Sequence, residues 1–254
     1  MKTTLRFILL TAIRDRLFPV LLLLLLVLIG VSFALSKTLM LEAHYAHLSM
    51  SAGLGRIVLN MGIAIFVCFH VRALYDNKEI DVMISRPLSR PQLVFSFWAG
   101  FAAVASLLVL ALTGMVALQG GIGSASLVLW GGSLLLESWV VVAIALFASL
   151  TNKSAVTSVL ISFVFYVMGR LMAFFVATAN ARITPDHGII GQAMTYIVEF
   201  IAIFLPRLDM YAPSEWIVYG VTDMQDALYF AAQSLIFIPL LLFIAIIDFC
   251  KKEF

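Results

Sequence analysis

Charged side chains are scarce in this chain, so those lying inside long apolar runs are the first candidates for chemistry. Glu137 and Arg170 are two such residues. At 1.5 Å per residue, Glu137 lies about 16 Å below the outer end of its run, and Arg170 sits at a similar depth in the next one. An ionised group at that depth is costly and normally faces a partner or a cavity. Two roles fit: a charge on a polar substrate path, or a Glu137–Arg170 ion pair bridging adjacent helices. Matching depth and helix adjacency favour the pair. Glu199, in a less regular apolar interval, is a weaker site candidate and equally suited to burial against a neighbouring hydroxyl or amide.

Other chemistries find fewer residues. In Glu42-Ala-His44-Tyr-Ala-His47, two histidines at i, i+3 stand near an acid. That is two or three metal ligands where a closed zinc site needs four, so a polar outer loop is the better reading. An intramembrane enzyme requires a nucleophile and a base together. His70, at the inner end of a span, has no matched serine. Cys68 and Cys250 are isolated thiols with neither disulfide nor metal spacing. No G-x-x-x-x-G-K-[ST] phosphate loop occurs, and Gly120-Gly-Ile-Gly123 reads as a turn. Any use of ATP therefore falls to a separate chain.

The longest charge-rich interval is Asp76 to Arg90. Asp76 followed by Glu79 resembles a capping box and predicts a helix start. Pro87 disfavours helical geometry at Arg86, which predicts a stop near Ser85. Between them Ile80, Met83 and Ile84 share one face, rimmed by Glu79, Asp81, Arg86 and Arg90. The expectation is a short amphipathic helix at a membrane surface, shaped for docking.

These residues must be positioned by helices that cross a bilayer. The 254 residues are 63% hydrophobic and 12% charged, with a mean hydropathy of +1.09, unlike a soluble domain. A net charge of +2 gives no footprint for nucleic acid. Runs long enough to span are expected at Leu17–Ser36, Leu54–Leu74, Leu93–Leu118, Leu127–Leu150, Ala155–Thr178 and Ala227–Asp248. The first exceeds a signal-peptide core and is read as uncleaved. Residues 1–16 form an interfacial amphipathic elbow, and Lys37 to Gly53 a polar loop. Asn60 is placed to hydrogen-bond across helices, and Pro239 to kink the last span. Asn180 to Asp226 is read as one or two outer helices that dip in and return, with Tyr211, Trp216 and Tyr219 at a headgroup interface.

With the N-terminus inside, Lys2, Arg6, Arg14, Arg16, Arg72, Lys78, Arg86, Arg90, Lys153, Lys251 and Lys252 share the inner side. Only Lys37, Arg56, Arg182 and Arg207 fall outside, which is a positive-inside bias. Six spans, both termini inside, and one transmembrane domain are expected.

The run Glu79-Ile-Asp-Val-Met-Ile-Ser-Arg-Pro-Leu-Ser-Arg90 resembles the cytosolic signature of type-2 permease subunits of ATP-binding cassette transporters. Leu205-Pro-Arg-Leu-Asp209 and Ser214-Glu-Trp-Ile-Val-Tyr-Gly220 resemble the outer segment of that family, and the six-span layout with its elbow is similar. It departs from the family at Ile80-Asp81, where Gly-Thr often follows the acid, and at Trp98-Ala-Gly100, which lacks the common Lys. The resemblance implies a coupling helix seated in a groove of a separate ATPase. It also implies a homodimer of permeases, ATP and Mg held by the partner ATPase, no cofactor on this chain, and residence in a bacterial inner membrane. The implied activity is export. A non-transporting scaffold that docks an ATPase is the alternative. An ion-coupled secondary transporter fits less well, since no inverted repeat is visible.

Overall fold

The computed structural model describes residues 8, 11, 16–38, 43–80, 89–180, 200, 205–221 and 225–251. Among these every regular element is helical: α1 (Leu17–Ser36), α2 (Ala43–Asp76), α3 (Arg90–Ala117), α4 (Ser124–Thr151), α5 (Ala155–Arg170), α6 (Met172–Asn180), a 3-10 turn at Leu208–Met210, α7 (Glu215–Val218) and α8 (Gln225–Lys251). Five of the helices are long and apolar enough to cross a membrane, or six if α5 and α6 are one broken span. These are the helices of a membrane-embedded protein.

Local signals account for the boundaries. Ser89 precedes α3 and donates its amide to Gln92 Oε1 at 3.3 Å, with Pro91 in the first turn where a missing N–H costs nothing. Ser154 caps α5 by accepting from the Thr157 amide at 3.5 Å. α4 is the central helix, packed on α2, α3, α5 and α8, while α1 lies against α2 at the periphery. The outer face of α1 presents Leu23, Leu24, Leu26, Val27 and Val31, which a bilayer covers and water does not. Ser138 donates to Asn60 Oδ1 at 2.9 Å, joining α4 to α2 as the position of Asn60 predicts.

Two helix expectations change. The polar loop expected at Lys37 to Gly53 is largely helix, because α2 already begins at Ala43 and runs 34 residues. At 1.5 Å per residue that is about 51 Å, well beyond a hydrocarbon core of about 30 Å. The polar side chains of this stretch have partners that let them pack. Ser32 Oγ lies 3.1 Å from both Nδ1 and the carbonyl oxygen of His47, and Ser51 donates to Gln119 Oε1 at 3.0 Å. The expected fifth span is also broken, bending by 45° between Ala155–Arg170 and Met172–Thr178.

That bend sits beside residues 205–221, a strap that packs its 3-10 turn and α7 against α2, α4 and α5. Gly169 makes the close approach possible: a Cβ there would meet the Pro206 carbonyl oxygen at 2.7 Å, and backbone cannot turn aside. Gly169→Ala is expected to cost about 1–3 kcal/mol through overpacking, read as a lowered melting temperature in detergent. Gly132→Ala on α4, whose methyl meets nothing within 4 Å, is the comparison and should lose less.

Candidate functional site

Three helices bring charge to one place. Glu137 on α4 is fully buried, Arg56 on α2 is 7% exposed, and the side chain of Arg170 at the end of α5 is 19% exposed. Arg170 Nη1 lies 3.7 Å from Glu137 Oε1, and Tyr166, one turn before it, donates to the same oxygen at 3.2 Å. At an effective dielectric of about 20 an ion pair near this separation gains about 4 kcal/mol before desolvation is subtracted. Among the described residues Glu137 Oε2 has no hydrogen-bond partner.

Among the described residues one carboxylate faces two guanidiniums, and the strap supplies further acceptors. Arg56 donates to the carbonyl of Tyr211 at 3.0 Å and also to that of Ala212. Arg170 donates to the Tyr211 carbonyl at 3.1 Å and also to that of Leu208. The two arginines share one acceptor, so their bonded nitrogens are no more than about 6 Å apart. Two such charges repel by about 3 kcal/mol at an effective dielectric of about 20, and the carbonyl dipoles between them offset that repulsion.

Further contacts hold the strap in register. Trp130 Nε1 donates to the Ala212 carbonyl at 3.1 Å, and the Ala212 amide donates to Ser133 Oγ at 2.8 Å. Ala212 takes a positive φ of 43°, uncommon for a residue with a side chain. The Tyr211 hydroxyl reaches the Phe230 carbonyl at 3.0 Å and Ser234 Oγ at 2.8 Å on α8. Burial pushes this phenol up to about 12, so it remains a neutral donor at physiological pH. Arg56, Tyr166, Trp130 and Tyr211 were not singled out for this site by the sequence. Arg56 counts as an outer-loop charge only while α2 is taken to begin at Leu54.

At the opposite end of the bundle the charge-rich interval is described at its two edges. Asp76 ends α2 rather than starting a helix, and pairs with Arg72 four residues earlier at 2.6 Å. Lys78, at φ 56°, turns the chain out of α2, and a new helical turn begins at Glu79 and Ile80. Ile80 is 1% exposed and packs in the core. In this conformation it anchors the interval to the bundle and is not part of a free docking ridge. Arg90 opens α3 and donates to the carbonyl of Cys250 at 2.8 Å, at the C-terminal end of α8 where a cation complements the helix dipole. Asp81, Met83, Ile84, Arg86, Pro87 and Glu199 lie outside the described residues, as does most of the elbow.

The histidines do not converge. His47 is buried against Ser32 and the ring of Phe33, whereas His44 is exposed next to Gly121. Among the described residues no three His, Cys, Asp or Glu side chains gather as a metal site.

No protein-family model matches this chain, and no curated protein matches it.

The chemistry that the buried cluster supports is electrostatic: it positions charge inside the bundle and fastens the strap over it. A double-mutant cycle with Glu137→Gln and Arg170→Gln checks the coupling. Unfolding in detergent should give non-additivity of about 1–3 kcal/mol, and additive losses would show that the 3.7 Å approach carries no pairing energy.

Proposed function

We propose that this chain is the membrane-spanning permease subunit of an ATP-binding cassette exporter, energised by a separate ATPase. The observation that carries the reading is the run from Glu79 to Arg90, placed between the second and third long helices. It lies on the side where lysine and arginine collect, which is the cytoplasmic side by the positive-inside rule. Lys78 closes α2 and Arg90 opens α3 while holding α8, so the intervening residues form a short connection braced at both ends. Met83 and Ile84 then supply the apolar contact to the ATPase. Glu79, Asp81, Arg86 and Arg90 set its register by charge complementarity more than affinity. Pro87 ends the coupling helix.

On this reading residues 1–16 are the interfacial elbow and the interval between the fifth and sixth spans holds the outer re-entrant helices. The working unit is a homodimer with two ATPase chains, in a bacterial inner membrane with both termini cytoplasmic. ATP and Mg belong to the ATPase, and this chain carries no cofactor of its own. Alternating access follows when closure of the ATPase pair pushes on the coupling helices.

One observation favours the scaffold reading. The buried charges are engaged with each other and with strap carbonyls rather than spread along a path. A subunit that docks an ATPase and transmits force without conducting cargo fits that economy.

Met83→Asp should abolish co-purification of the ATPase while membrane insertion is unchanged. Normal co-purification of that variant would overturn the docking assignment. Stimulation of ATP hydrolysis by cargo in reconstituted vesicles marks a pump, and its absence with docking intact marks a scaffold.

A further inference from the structure

The strap covers a set of side chains whose chemistry is one-sided. Arg56 from α2, Arg170 from α5 and Trp130 from α4 all aim N–H donors at three carbonyl oxygens, those of Leu208, Tyr211 and Ala212. Arginine and indole N–H groups donate and cannot accept. Two guanidiniums on a single oxygen form an arrangement suited to a charged acceptor more than to a peptide carbonyl, since charge-assisted bonds are shorter and about twice as strong. Glu137, at 3.7 Å from Arg170, cancels one of the two positive charges, and among the described residues no second carboxylate pairs with the other. Ser133 Oγ, which now accepts from the Ala212 amide, is a hydroxyl that can rotate to donate.

We infer that Arg56, Arg170 and Trp130 form an oxyanion-binding site that the strap carbonyls occupy in its absence. The ligand is an oxyanion group such as phosphate, sulfate or carboxylate, whose negative charge offsets the excess positive charge of the described cluster. Displacing the strap by a turn's width exposes the donors without unfolding a helix, because the strap's own elements are one 3-10 turn and a four-residue helix. Ala212 at positive φ makes the covering conformation a strained one that release relieves. The strap is held from the far side by the Tyr211 hydroxyl on Phe230 and Ser234, so that bond sets how readily an anion can compete. This inference stands on the donor geometry and is independent of the permease reading.

Trp130 reports the exchange directly, because its indole N–H must change partner. The full chain, labelled with 5-fluorotryptophan in detergent micelles and assigned with Trp130→Phe, is titrated with inorganic phosphate and with sulfate against chloride at equal ionic strength. The expected result is a saturable shift of the Trp130 fluorine resonance with phosphate or sulfate and none with chloride. In Tyr211→Phe the midpoint should fall several-fold. In Arg56→Gln the shift should vanish. Arg170→Lys keeps the charge but loses the planar fork, and should weaken the response several-fold should Arg56→Gln fail to fold. The inference is overturned if Tyr211→Phe shows no saturable shift, or if the shift survives unchanged in Arg56→Gln or Arg170→Lys.

Discussion

Two guanidiniums buried in an apolar bundle with one carboxylate form the constraint on which the rest of the molecule depends. A charge in such surroundings must be hydrogen-bonded or paired. Glu137 meets part of that demand and the backbone of 208–212 meets more of it, leaving Arg56 Nε and Glu137 Oε2 without a hydrogen-bond partner among the described residues. From this follow the seating of the strap against α2, α4 and α5, the bend after Arg170, and the need for a glycine at 169 where Pro206 approaches. A chain of purely apolar spans would have no reason to draw an irregular segment inward, because exposed peptide groups gain nothing there. Here the peptide groups are the partners.

α8, like α2, links the two ends of the bundle. Near its N-terminal end α8 receives the Tyr211 hydroxyl, and at its C-terminal end it receives Arg90 from the start of α3. Pro239 stands between these two attachments. An element that contacts both the strap and the charge-rich connection is a physical candidate for carrying movement between them.

Much of the architecture was legible because span-length hydrophobicity is a strong signal. Leu17–Ser36 matches α1 residue for residue, and the third, fourth and sixth spans agree within a few residues. The errors arise where local signals had two meanings. Asp76 and Glu79 read as a capping box, yet Arg72 one turn back claims Asp76 and left-handed Lys78 does the terminating. Polar residues in 43–53 read as a loop, because the sequence does not display the partners that bury them, Ser32 and Gln119. Arg56 was lost to the site for the same reason, since its acceptors are backbone carbonyls more than 150 positions away, and carbonyls carry no sequence mark. The proximity of Glu137 and Arg170, by contrast, follows from depth alone once adjacent antiparallel spans are assumed.

We propose that the connection between α2 and α3 meets a separate ATPase. The most direct measurement places p-benzoylphenylalanine at position 84, irradiates intact cells, and identifies the captured chain by mass spectrometry. The expected result is a dominant adduct with an ATP-binding cassette ATPase, formed through its nucleotide-binding domain. Adducts with lipid alone, or with proteins that bind no nucleotide, would contradict it.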